Sequence, residues 1–329
     1  MTTTTATLLA RTADYFGEAV TWVMPEAEAG LLALKHLSVV HPFRPEVLAL
    51  QRMKIAASPA WPENKNPTVA LCLPRQVEWA CGLLAQALDH LPIGGTLLAI
   101  APNDLGGKRY AKILGEYFDL ALSESKNHCR IVVLKRPAAL PAIVDEWRKA
   151  YQPHTVDGTA LQAMPGNFSH AHIDAGSALL VKHLPPFSGA VADFGAGWGF
   201  LSHHLLSQPV SPARVDLFEA DDNALNMAKV NLAPWKDRTR FFWHDILTES
   251  TPANYDAVIM NPPFHDLREA RTDIGRGFIT AAARALKTGG GLFLVANATL
   301  PYEDLMKTHF PNFRTVCREG GFKVLAGVK

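Results

Sequence analysis

Cysteine is scarce in this chain. Cys72, Cys81, Cys129 and Cys317 stand apart with no Cys-x-x-Cys pair among them. That spacing excludes a disulfide framework or a zinc knuckle. No apolar run approaches the roughly eighteen residues a membrane-spanning helix needs, so no membrane partner is expected. The opening residues, MTTTTATLLARTADYF, lack a basic segment followed by a long apolar one. They therefore predict no secretory signal and a cytoplasmic protein. An excess of one charge sign is also missing. The formal net charge is +1, with 16 basic and 15 acidic side chains through residue 160 and 16 of each afterwards. Neither half is a basic tail, and composition gives no vote for nucleic acid beyond a local patch. The pairs His170/His172 and His203/His204 have no carboxylate or cysteine at ligand spacing, so no metal is expected.

What is present is a globular composition, 48% hydrophobic and 19% charged, in a chain of 329 residues. That length accommodates two domains, each with its own core. The polar stretch with Pro153 and Asp157-Gly158 places the boundary near residue 150, giving domains 1–150 and 151–329. In the first half, apolar runs predict strands at 19–23, 69–73, 95–101 and 131–134, and apolar spacing predicts helices at 26–37, 78–90, 108–118 and 143–151. Strands alternating with helices imply a mostly parallel sheet. The turn Gly106-Gly107-Lys108-Arg109 lacks the spacing of a nucleotide loop and the Ser/Thr after lysine. It reads as a solvated turn at a helix start, with phosphate-backbone contact as the alternative.

In the second half, residues 154–163 predict a small hairpin, 174–183 a helix, and 191–194 the first sheet strand. Further strands are expected at 214–218, 240–243, 255–260 and 292–296, with helices at 200–206, 224–232 and 275–286. An antiparallel pair at 313–318 and 323–328 closes the sheet around Gly320-Gly321.

Two stretches carry chemistry. In 191–201, VADFGAGWGFL, a strand runs into a glycine turn and then a helix. Gly195, Gly197 and Gly199 allow positive φ and a close backbone approach to a ligand. In 260–266, MNPPFHD, Asn261 ends a strand, Pro262 and Pro263 lock the backbone, and Phe264 follows. Asp193, Glu219, Asp245 and Asn261 all fall at the ends of successive predicted strands, where doubly wound sheets bind ligands. Glu219, 26 residues after Asp193, stands where an acid accepts hydrogen bonds from ribose hydroxyls, and Asp245 is placed to meet an adenine amine. An exocyclic amine is a poor nucleophile because its lone pair is delocalised. The Asn261 amide oxygen and the Pro262 carbonyl are acceptors that would favour a pyramidal nitrogen and aim its lone pair at a methyl donor. Phe264 offers a face for stacking a flipped-out base. His265 reads as a hydrogen-bonding neighbour or a proton relay. Arg268, Arg271 and Arg276 suggest contact with a nucleic-acid backbone or a solvated helix face.

At these residues the chain resembles the class I S-adenosylmethionine-dependent methyltransferases. More narrowly, it is similar to the two-domain bacterial 16S ribosomal RNA guanine-N2-methyltransferases. The likeness runs through PGNFSHAHIDAGSALL, DFGAGWGFLS, EADDNAL, NPPFHD, GGGLFLVAN and GFKV, and more faintly through WPENKNP and PIGGTLLAIAPNDLGGKRYA. It implies two doubly wound α/β domains. The C-terminal one would be the catalytic fold with an antiparallel last strand, and the N-terminal one a degenerate copy that docks RNA and supports its neighbour. It also implies cofactor roles for Asp193, Gly195, Ala196, Gly197, Glu219, Ala220, Asp245, Ile246 and Asn261. Catalytic roles fall to Asn261, Pro262 and Phe264, with Phe168, Asp174 and His265 at the substrate edge. S-adenosylmethionine is the implied cofactor, and ribosomal RNA or the small ribosomal subunit the implied partner. Two departures stand out: Glu219 replaces a more usual aspartate, and Trp198 fills a position more often small. A protein glutamine amide and adenine N6 are alternative acceptors, since each presents a planar NH2. A non-enzymatic RNA-binding or ribosome-assembly module with a vestigial pocket is the alternative of another class.

Overall fold

The computed structural model describes residues 3–263 and 268–329, and the chain divides into two units, Met1–Gln152 and Pro153–Lys329.

The strands of unit 1 are β1 (Val20–Val23), β2 (Leu37–Val40), β3 (Ala57–Ser58), β4 (Thr68–Cys72), β5 (Thr96–Pro102), β6 (Leu120–Lys126) and β7 (Cys129–Lys135). Its helices are α1 (Thr4–Arg11), α2 (Arg44–Arg52), α3 (Val77–His90), α4 (Gly107–Tyr117) and α5 (Ile143–Ala150). The sheet order is β3-β2-β1-β4-β5-β7-β6. Alternation along the strands sorts side chains between two layers. Leu97 and Ala99 join Leu84 and Leu88 of α3, while Leu98 and Ile100 join Leu8 of α1 and Leu50 of α2. The helix expected over 26–37 does not form. A short 3-10 turn, Ala29–Ala33, occupies its centre, and β2 takes its end. The apolar spacing that suggested a helix buries only Leu31 of this turn, and Leu32 is exposed. Four further elements, α1, α2, β3 and β6, were not expected; the half-exposed, polar LALSESK of β6 hides a strand whose backbone pairs with β7.

Unit 2 opens with a hairpin of β8 (His154–Thr155) and β9 (Gln162–Ala163), turned at Gly158 with φ 76°. Its sheet strands are β10 (Ala190–Phe194), β11 (Arg214–Glu219), β12 (Thr239–Trp243), β13 (Tyr255–Met260), β14 (Leu286–Asn297), β15 (Arg314–Glu319) and β16 (Phe322–Val328). The helices are α6 (Ala175–Val181), α7 (Phe200–Leu206), α8 (Asp222–Asn231), α9 (Arg268–Ala285) and α10 (Glu303–His309). The sheet order is β12-β11-β10-β13-β14-β16-β15. On β13, Val258 and Met260 face the layer holding Ile279 of α9 and Met306 of α10, whereas Ala257 and Ile259 face Leu180 of α6 and Leu201 of α7. Gly289, Gly290 and Gly291, just past the helix expected over 275–286, lie within β14, where the register with β13 shifts between Tyr255 and Ala257.

Both sheets therefore have the same order and the same parallel body with antiparallel final strands. The second is a doubly wound methyltransferase-type sheet and the first repeats it. Strand order reverses between β10 and β13, so their carboxyl ends flank the crevice where such sheets bind ligands.

Candidate active site

The glycine turn follows β10 directly. Gly195, Gly197 and Gly199 have φ of 73°, 55° and 90°, in the left-handed region that an L side chain enters only at a cost. The Gly195 N–H donates to the Phe218 carbonyl at 2.8 Å, tying the turn to β11. A Cβ at Gly199 would stand 3.2 Å from the Ala228 Cβ, so this glycine lets the turn approach α8; a Cβ at Gly197 would meet nothing within 4 Å. Asp193 is fully buried on the α7 side of the sheet, where its Oδ2 accepts the Ser202 hydroxyl at 2.6 Å. Its Oδ1 has no hydrogen-bond partner among the described residues. Burial, reinforced by the nearby Glu219 charge, pushes the Asp193 carboxyl up to about 7.

Glu219 ends β11 half-buried. Its Oε2 accepts the Gly197 N–H at 2.7 Å and its Oε1 the Asp221 N–H at 2.9 Å. Burial raises its pKa, and these backbone donors oppose that shift. The Ala220 carbonyl accepts the Trp243 indole N–H at 2.9 Å. Asp245, after β12, is buried and turned onto its own loop: Oδ1 accepts the Leu247 N–H at 3.0 Å and Oδ2 the Thr248 hydroxyl. Ile246 is buried in the α9 layer of the core.

Asn261 follows β13. Its Nδ2 donates to Asp174 Oδ2 and to Ser177 Oγ, each at 2.8 Å. Its Oδ1 is buried and has no hydrogen-bond partner among the described residues. Pro262 is buried behind it. Phe264 and His265 lie outside the described residues, as do the side chains of Arg268 and Arg271.

One cleft joins Asn261, Asp174 and Phe168 to the turn Gly195-Ala196-Gly197. These residues come from three separate parts of unit 2, and the fold alone unites them. Glu219 and Asp245 are not on its lining. Phe168 is 47% exposed at this cleft, and its carbonyl accepts the Trp198 indole N–H at 2.9 Å. Trp198 itself is buried among Val156, Leu161 and Ala163 of the hairpin region. The bulky residue at that position thus fastens the preceding segment to the glycine turn. Asn231 adds to this fastening, donating to the carbonyls of Trp198 and Gln162 at 2.8 Å. Sequence reasoning missed Ser177. Its signal was the spacing Asp-x-x-Ser at a helix start, for Asp174 caps α6 by accepting the Ser177 N–H at 2.7 Å.

The matching strand ends of unit 1 carry other residues. Val23 pairs with Val40 and Leu71, as Phe194 pairs with Phe218 and Met260. By that register Met24, also left-handed at φ 56°, stands where Gly195 does, and its N–H donates to Val40 O at 2.8 Å. Cys72 replaces Asn261, and His41 replaces Glu219. His41 Nδ1 accepts the Phe43 N–H at 3.1 Å, as Glu219 accepts that of Asp221, but burial lowers its pKa to about 4 and it stays neutral. Unit 1 keeps the turn and loses the acid, the amide and the glycines.

The family model for the methyltransferase small domain matches residues 158–326. The ribosomal RNA small subunit methyltransferase C of Shewanella sediminis is 33% identical over 266 residues, covering 80% of this chain and 77% of that one. Its Shewanella baltica counterpart is 32% identical, covering 79% and 76%. Among solved structures, the T. thermophilus 16S rRNA N2 methyltransferase (RsmC), in complex with AdoMet and guanosine, is 25% identical and superposes with a TM-score of 0.80 over 98% of this chain and 91% of that one. With the cleft, the doubled sheet and these relatives together, the chain belongs to the ribosomal RNA small subunit methyltransferase C family.

Proposed function

We propose that this protein transfers a methyl group from S-adenosylmethionine to the exocyclic N2 amine of a guanosine in 16S ribosomal RNA, in the cytoplasm. The observation that carries this reading is the buried, unpartnered Oδ1 of Asn261, a residue on the lining of the same cleft as the glycine turn. A buried acceptor without a donor is costly, and a ligand N–H is the natural partner for it. The relatives support the reading: the Shewanella proteins are named ribosomal RNA small subunit methyltransferase C, and the T. thermophilus protein is named a 16S rRNA N2 G1207 methyltransferase.

The residues present fit the cofactor. The open space at Gly197 admits a ligand against the backbone, and Glu219 supplies an acid one strand over. We assign Asp193, Gly195, Ala196 and Gly197 to the methionyl side, Glu219 and Ala220 to the ribose, and Asp245 and Ile246 to the adenine. When bound, S-adenosylmethionine supplies an electrophilic methyl group on a sulfonium. The chain's part is then to present the nucleophile. Asn261 Oδ1 and the Pro262 carbonyl accept the two N–H groups of the target amine. In doing so they draw its lone pair out of conjugation with the ring and favour the positive charge that develops on nitrogen. The Pro262-Pro263 backbone needs little reorganisation to do this. Phe168 and Phe264 are assigned to the faces of the base. No base is required before attack, because the proton leaves afterwards. Unit 1, without the acid and the amide, is assigned to docking RNA and supporting the catalytic unit, with the small ribosomal subunit as the partner.

The test is nucleoside mass spectrometry on ribosomal RNA from cells that lack the enzyme and carry either the wild type or Asn261→Ala. N2-methylguanosine in 16S RNA is expected with the first and not the second. Methyl groups found instead on adenine N6 or on protein glutamine would overturn the acceptor, and normal N2-methylguanosine with Asn261→Ala would overturn the amine site.

A further inference from the structure

An amide side chain has one accepting end and one donating end, and a half-turn about its last bond exchanges them. The end that Asn261 offers the cleft therefore decides whether it welcomes an amine or a carbonyl. Nothing on β13 sets this choice. The neighbours that do so lie 87 and 84 residues earlier in the chain.

We infer that Asp174, with Ser177, is the positioning residue that holds the Asn261 amide with its oxygen toward the reacting nitrogen, an assignment that rests on the amine-site reading of Asn261. An ionised carboxylate only accepts hydrogen bonds, so Asp174 Oδ2, 2.8 Å away, requires the Asn261 nitrogen on its side. Ser177 Oγ accepts the other N–H of the same nitrogen at 2.8 Å. Turning the amide over would set Oδ1 against the carboxylate and leave both N–H groups in the cleft, where they would repel an incoming amine. Asp174 is itself held: the same Oδ2 accepts the Ser177 N–H at 2.7 Å, which makes it the cap of α6. A Cβ at Gly176 would stand 3.0 Å from that oxygen and 3.1 Å from the Phe322 ring, so a glycine clears the place where it sits. The start of α6 thereby sets the chemical sense of a side chain on the far side of the sequence.

Capping and positioning can be separated by substitution. Asp174→Ser retains an oxygen able to cap the Ser177 N–H but is too short to reach Asn261. Asp174→Asn can place an amide oxygen where Oδ2 is and keep both bonds. The experiment measures methyl transfer to unmodified small ribosomal subunits, S-adenosylmethionine affinity by calorimetry, and the thermal midpoint. The double variant Asp174→Ser/Ser177→Ala is expected to lose about ten- to a hundredfold in kcat, the scale of a misplaced reacting group. Its cofactor KM should stay within about twofold of wild type, its midpoint should hold, and Asp174→Asn should recover most of the rate. Wild-type kcat in the double variant, alongside an inactive Asn261→Ala, would overturn the positioning role and leave the amine site standing. A loss confined to cofactor affinity would make Asp174 a cofactor ligand and overturn it too, as would an Asp174→Asn no more active than the double variant. Full activity in Asn261→Ala would instead remove the amine site on which the inference rests.

Discussion

Glu219 Oε2 accepts the Gly197 N–H at 2.7 Å, which makes the acid after β11 and the glycine turn after β10 one hydrogen-bonded unit. The second oxygen holds Asp221 N–H, the residue that caps α8. One carboxylate therefore shapes the turn, starts the next helix and has lone pairs left for a ligand.

Removing it should be felt in binding before anything else. Glu219→Ala is expected to weaken S-adenosylmethionine binding about ten- to hundredfold, the scale of lost charge-assisted hydrogen bonds. Glu219→Gln should fall between, since its NH2 must face one of the two backbone donors. Isothermal calorimetry decides; wild-type affinity in the alanine variant would sink the assignment of this residue to the ribose.

Asp193 should leave a signature in the pH dependence of stability. Its carboxyl is pushed from the usual 3.8 up to about 7 by burial. Between those values the folded chain holds a proton that the unfolded chain has lost. The stabilisation is complete below pH 3.8 and is lost as pH rises through about 7. Asp193→Asn cannot ionise, and its side-chain oxygen can still accept the Ser202 hydroxyl. Relative to wild type, the variant should gain thermal stability as pH rises from the usual carboxylate value of 3.8 to about 7, and the difference should level off above that. Melting curves at four pH values test this, and parallel profiles for the two proteins would contradict it.

The glycines of the turn should separate by what surrounds them. Gly197→Ala places a methyl in open space at φ 55°, so its cost to folding is about 1–2 kcal/mol for the left-handed backbone. Gly199→Ala adds crowding against Ala228 at 3.2 Å and should destabilise more in urea titrations. Cofactor affinity should nonetheless fall in Gly197→Ala, whose methyl would occupy space assigned to the ligand. Equal stability in the two variants, with wild-type affinity in the first, would count against this division.

Much of unit 2 was legible because its signals are local. A strand running into glycines at 195, 197 and 199, and an asparagine before two prolines, each declare their backbone in a few residues. Unit 1 was harder to read. The spacing of Leu31 and Leu34 is that of a helix, yet a 3-10 turn and a strand form, since only Leu31 of that turn is buried. The strand β6 could not be seen because its pairing, not its side chains, holds it in the sheet. Ser177 was missed because its role lies in a contact 84 residues away.

The sequence by itself determined where each functional loop lies, since turn and cap chemistry acts over three or four residues. Only the tertiary structure decided that Asp174 meets Asn261, that Trp198 turns into the hairpin to hold Phe168, and that His41 stands in the acid's place. Those outcomes depend on strand order and register. Backbone pairing and layer packing set these across long separations, and no local pattern records which strand end will face which.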